Sequence, residues 1–254
     1  MFALIFILVM IAAALFGMMG LGSGIIYVPL LSWWGLDFAS GAIPLGLLLS
    51  VATGAGAVHT YIRDGLVHLR TGMSTGLAAV LGSPFGVAAL QFVPVSIVKM
   101  ILAAAAFYVA LKALRSGEPP PHLDRASYAL TRGLTLLMGF LMGFFSALVG
   151  VGGGFLLVPV LLARGYPTRE AVGTTSMVVT ISTFAGFMFH IPTAHFPART
   201  AFILTTAALT GASLGGHWAA RHANPKGLRI IIGIIIIFIA IKVGGEGLIS
   251  LLGN

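Results

Sequence analysis

One pattern is written twice in this chain. Gly20, Gly22 and Gly24 precede an apolar run that holds Pro29, and Gly150, Gly152 and Gly154 precede one that holds Pro159. All four matches share one offset (159 − 29 = 130), about half of the 254 residues. Two copies of one unit are therefore expected, each with an apolar segment broken by glycines. Backbone groups freed by such a break cannot be satisfied by lipid, so at membrane depth they must face protein or a watery cavity. Broken helices at matching places in two halves point to a transporter's binding site.

The break matters because the surrounding chain is membrane-like. It is 58% hydrophobic and 8% charged, with a mean hydropathy of +1.06, against roughly 25% charged residues in soluble domains. The apolar runs are continuous, as in residues 230–241, and do not alternate, which indicates helices rather than a barrel. The first residues lack a basic leader and run on into further apolar sequence, so they read as a retained span and not a signal peptide. The net charge of +8 is carried mainly in loops and fits topology and anionic headgroups; no nucleic-acid partner is expected. Absence of cysteine removes disulfides, thiolate metal sites and cysteine nucleophiles.

Taking about 20 apolar residues per crossing, the first half reads as a broken segment at 2–34 and spans at 39–61, 71–92 and 96–114. A polar stretch with prolines at 119–121 separates the halves. The second half reads as a broken segment at 129–163 and spans at 171–190, 199–219 and from 228 into the tail. The expected fold is an all-α integral membrane protein of two homologous four-span repeats, about eight transmembrane helices, with glycine- and proline-broken helices at the repeat interface. Its units are a first repeat at 1–115, a linker at 116–127 and a second repeat at 128–254. Basic residues lean toward a cytoplasmic central loop, which suits a multi-pass protein of the cytoplasmic (inner) membrane. Parallel and inverted repeats both satisfy the sequence.

Each glycine cluster has two readings. Small residues spaced by four let helices pack closely, and the pairs Gly82/Gly86, Gly139/Gly143 and Gly211/Gly215 are assigned to that. For the duplicated clusters the alternative is a half-helix start, whose unpaired N–H groups and positive dipole end bind anions. On this reading Gly22, Ser23, Gly24, Gly152, Gly153 and Gly154 cradle a small anion. Thr174, Thr175 and Ser176 either bond back to the preceding turn or line a polar cavity, and Ser50 and Thr53 are further candidates. His59 and His190 end matching spans; they are interfacial residues or proton carriers. No Asp or Glu is expected inside a span, which argues against a carboxylate-based cation site. Tyr27, Trp33 and Trp34, with Phe184, Phe187 and Phe189, read mostly as lipid-facing or interfacial residues, a few of them as contacts for an aromatic ring on a substrate. No enzymatic constellation appears, and neither a cofactor nor a metal is expected. The expected partners are the bilayer and a small anionic substrate, with a homo-oligomer left open.

The doubled Gly-x-Gly-x-Gly…Pro pattern and the stretch Ala171-Val172-Gly173-Thr174-Thr175-Ser176 resemble the TauE/SafE family, the sulfite exporter or toluene sulfonate uptake permease family. The likeness extends over nearly the whole chain and is strongest from Gly150 to Pro159. In the first half Ser23 stands where the family often has glycine, and the Thr-Thr-Ser counterpart is missing. The resemblance implies secondary transport of small sulfur-containing anions such as sulfite or aromatic sulfonates. A passive anion channel, a carrier of other anions such as carboxylates, and an intramembrane enzyme using the histidines are the rival classes.

Overall fold

A computed structural model describes residues 2–17, 23–115, 132–222 and 225–252. The 116–127 linker, Gly20 and Gly22 lie outside the described residues. Within them the chain is helical, with no strand. The first half forms α1 (Phe2–Gly17), α2 (Gly24–Trp33), α3 (Ile43–Arg63, preceded by a π-helical turn at Phe38–Ala42), α4 (Leu69–Phe92) and α5 (Val95–Arg115). The second forms α6 (Arg132–Val149), α7 (Gly154–Ala163), α8 (Thr168–His190), α9 (Ala198–His222) and α10 (Pro225–Leu252). Four segments are long and apolar enough to cross a membrane: Phe38–Arg63, Leu69–Phe92, Thr168–Thr193 and Gly233–Leu252. Several shorter apolar helices join them. This is the build of a multi-pass membrane protein.

The helix breaks fall where the glycines demand them. Gly150, Gly152 and Gly153 have φ of 79°, 85° and 68°, a left-handed run that no helix of L-residues continues. The two helices that follow the breaks, α2 and α7, have ten residues each, about 15 Å at 1.5 Å per residue. That is half of a bilayer's hydrocarbon core of about 30 Å. The prolines do not interrupt them further: Pro29 and Pro159 lie inside α2 and α7, correcting the expectation of a second break.

Helix directions follow from the close contacts. On α3 and α8, Leu47 meets Gly186, Gly54 meets Thr180 and Tyr61 meets Gly173, so the pair is antiparallel. The pair α5 and α10 is antiparallel too, with Ser96 beside Ser250, Lys99 beside Glu246 and Leu114 beside Gly233. In contrast α4 runs parallel to α6, with Thr75 at Gly139, Ala79 at Gly143 and Gly86 at Phe144. It also runs parallel to α8, with Gly72 at Met177 and Gly76 at Ile181. Helices α6 and α8 therefore point the same way, and α7 between them must double back. The α6–α7 segment is a hairpin whose tip is the left-handed glycine run.

Several glycines lie directly on backbone, with Gly82 on the Phe140 carbonyl, Gly143 on the Ala79 carbonyl and Gly211 on the Met10 carbonyl. The spaced glycines thus serve close packing, as expected. One charge expectation is overturned. Glu246 lies within the Gly233–Leu252 span, where Lys99 Nζ donates to it at 3.2 Å and Trp33 Nε1 at 2.8 Å. The carboxylate survives there because it is paired and hydrogen-bonded.

Candidate functional site

The first break also ends in mid-structure. Helix α2 opens at Gly24, where the N–H groups of Ile26 and Tyr27 close on the Ser23 carbonyl. From there it runs back along α3, with Ser23 Oγ 3.3 Å from Ser50 Oγ and Val28 against Gly46. Ser50 is near the middle of the Phe38–Arg63 segment. On the other side Gly152 lies at the matching depth of α8, its carbonyl 3.3 Å from Ser182 Oγ. The two tips touch. A methyl group on Gly24 would fall on the Gly150 carbonyl, and one on Gly150 would meet Val28 Cγ2 at 2.7 Å. Glycine is required at Gly24 for this close approach, and at Gly150 for both the approach and the positive φ.

A cavity sits where α2 begins. It is lined by Phe16, Gly17, Ser23, Ser50, Thr53, Gly54, Ala57, Ser176 and Val179. Its free volume is about 10 Å³, room for one water molecule. Four hydroxyls face it, from α2, α3 and α8, and all four residues are buried. Their hydrogens can be assigned. Ser23 donates to Ser50. Thr53 donates to the Leu49 carbonyl at 2.9 Å and so accepts from Tyr27 Oη at 2.9 Å. Ser176 donates to the Val172 carbonyl at 2.9 Å. The Ser50 hydrogen is the one not committed to a neighbour in this network.

Of the residues singled out from sequence, Ser23 and Ser176 meet in this cavity, and Ser50 and Thr53 join them. Gly24, next to Ser23, contacts the second tip at Gly150 and does not itself line the cavity. Gly152, Gly153 and Gly154 build that tip, with Gly153 against Met142, and do not line the cavity. Thr174 is directed elsewhere: its Oγ1 accepts the His68 N–H at 2.9 Å. There His68 Nδ1, Thr71 Oγ1 and Tyr166 Oη continue a hydroxyl chain at 3.0 and 3.1 Å. Thr175 is fully buried and its hydroxyl has no hydrogen-bond partner, a costly state for a polar group. The histidines also part company. His59 is exposed on α3, whereas His190 is buried with Nε2 2.7 Å from the Ala147 carbonyl, at the end of α6.

Tyr27 escaped the sequence reading, which placed it at the lipid or the interface. It is fully buried and orients Thr53. The available signal was its position three residues past Gly24, one turn into the half-helix, which turns it toward the interior.

A family model described as sulfite exporter TauE/SafE matches residues 5–243. The chain belongs to the TauE/SafE family. Among similar proteins, "Probable membrane transporter protein YunE" of Bacillus subtilis is 25% identical, over 98% of this chain and 99% of that protein. "Probable membrane transporter protein MJ0441" of Methanocaldococcus jannaschii is 24% identical over 92% of this chain and 91% of its own. "Sulfite exporter TauE/SafE family protein 3" of Arabidopsis thaliana is 30% identical over 46% of this chain and 25% of its own length. No solved structure matches this TauE/SafE protein.

Proposed function

We propose that the protein is a secondary transporter of small sulfur-containing anions, organosulfonates or sulfite, across the cytoplasmic membrane. The observation that carries this reading is the buried hydroxyl cavity at the start of α2, where two helix-break tips meet. Ser23 and Ser50 turn their hydrogens to the anion while the positive end of α2 faces it. Gly24 lets backbone approach from the first tip; Gly152, Gly153 and Gly154 hold the second tip, and α7 begins there. Ser176 fixes the α8 wall, and the unspent Thr175 hydroxyl and Thr174 become donors when α8 moves.

The transport cycle we propose uses two inverted repeats, units 1–115 and 128–254 joined by the 116–127 linker. Element bounds support it: α2 and α7 start 130 positions apart (154 − 24) and α5 and α10 likewise (225 − 95). The equivalent pairs α3/α8 and α5/α10 run antiparallel, as a two-fold axis in the membrane plane requires. Exchange of conformations between the halves then opens the cavity to each side in turn. A cavity of about 10 Å³ must widen to take a sulfonate, so the described state is closed. For proton coupling we favour His190, which bonds the Ala147 carbonyl just before the tip of the α6–α7 hairpin, over the exposed His59.

Purified protein in liposomes tests this reading. Saturable sulfite or 4-toluenesulfonate flux with counterflow, lost in the Ser23→Ala/Ser50→Ala double variant, is expected. Flux linear in concentration without counterflow would mean a channel, and saturable flux of carboxylates alone would move the substrate class.

A further inference from the structure

The cavity's electrostatics specify the charge of its ligand. None of the described residues that line it is ionisable. What positive potential it has comes from backbone. One helix N-terminus is equivalent to about half an elementary charge. Helix α2 presents one at Ser23 and Gly24. The glycines of the second tip do not line the cavity, so α2 alone supplies about half a positive charge there. The remaining wall is Phe16, Gly17, Gly54, Ala57 and Val179, which offers a second negative charge nothing.

Desolvation sharpens this. The cost of taking an ion out of water grows with the square of its charge, so a dianion costs about four times as much as a monoanion. Attraction to fixed dipoles grows only in proportion to charge. Hydroxyls do not close the gap, because Thr53 and Ser176 have spent their hydrogens on the Leu49 and Val172 carbonyls. Ser23 and Ser50 are left as redirectable donors.

Resting on the reading of this cavity as the substrate site, we infer that the site selects the monoanionic form of its substrate. It takes sulfonates and bisulfite and rejects the sulfite and sulfate dianions. A sulfonate is a monoanion at every physiological pH, whereas sulfite gains or loses its second proton near neutrality. For sulfite, the proton would then travel on the substrate itself.

The experiment uses the unmodified protein in liposomes with the same buffer on both sides, from pH 6 to 8.5. Uptake of sulfite is divided by uptake of methanesulfonate at each pH, which cancels any titration of the protein. The ratio should fall by about tenfold per pH unit once the dianion predominates, and sulfate in excess should leave methanesulfonate uptake unchanged. A ratio that is flat or rises with pH, or competition by sulfate equal to that by unlabelled methanesulfonate, overturns the charge selection while leaving the transporter assignment intact. Absence of flux for both sulfite and methanesulfonate overturns the substrate class and this inference with it.

Discussion

Replacing Gly24 by alanine isolates the contact between the two helix breaks. In an unconstrained helix the change from glycine to alanine stabilises by about 1 kcal/mol, because the chain loses less entropy on folding. At Gly24 the added methyl falls on the Gly150 carbonyl and lies 3.0 Å from Val151 Cα. Both are backbone, with no flexible side chain to swing away, and Gly150 is itself held against Val28 and Ile43. Overpacking of this kind costs about 1–3 kcal/mol, and backbone resistance puts Gly24 at the upper end. The net expectation is a loss of about 2 kcal/mol and separation of the tips. Gly245→Ala supplies the control, since that glycine lies within α10 with nothing within 4 Å of the new methyl; it should be neutral or stabilising. Thermal unfolding in detergent reads the stability, and sulfite uptake into liposomes reads the site. Gly24→Ala should unfold earlier and transport poorly, with Gly245→Ala matching the parent in both. If Gly24→Ala is as stable and as active as Gly245→Ala, the two tips do not meet through this residue, and the site must be sought elsewhere.

Ser50→Ala removes the uncommitted hydrogen and also the acceptor of Ser23; a hydrogen bond to a charged group contributes about 1.5–3 kcal/mol, so the sulfite or sulfonate half-saturation concentration should rise at least tenfold, with a loss of about 1 kcal/mol in stability. Tyr27→Phe leaves Thr53 without its donor and should cost about 1 kcal/mol of stability, read by the same melt, with a smaller effect on uptake than Ser50→Ala. Asp37 accepts hydrogen bonds from the Ser40 backbone, the Ser40 hydroxyl and the Ala39 backbone, and those from Ser40 chiefly lower its pKa below 3.8. Because the unfolded chain holds this proton more tightly, the cap adds stability above the ordinary aspartate pKa and loses it as pH falls through the folded value. Asp37→Ala should therefore lower the unfolding midpoint at neutral pH, by about 1 kcal/mol for a lost cap, and flatten its acid dependence. Glu246→Gln abolishes the ion pair with Lys99, which is 20% exposed on the lysine side and 34% on the glutamate side. A loss of about 1 kcal/mol is expected for so open a pair, and no recovery of the parent melting temperature should follow from raising the salt.

The sequence carried the helix breaks in plain view because glycine acts locally, whereas the prolines misled: a backbone φ near +80° needs glycine whatever surrounds it. It carried the glycine stripes for the same reason. Orientation was not legible, since parallel and inverted repeats have the same composition and spacing. Only the meeting of Gly54 with Thr180 and of Lys99 with Glu246 shows that α3 runs antiparallel to α8 and α5 to α10, the arrangement the proposed inverted repeats need. The site was half legible. Ser23 follows from its place in the motif, but Ser50, Thr53 and Ser176 reach the cavity because α3 and α8 cross antiparallel at that depth. Thr174, two residues before Ser176, is turned by 3.6-residue periodicity toward His68 instead. In the described state the three hydroxyls do not line one cavity together, since consecutive side chains of a helix point about 100° apart. The motif therefore divides its work. One member lines the cavity, one fixes the start of α4, and Thr175 keeps a buried hydroxyl without a partner among the described residues, available to a rearranged α8.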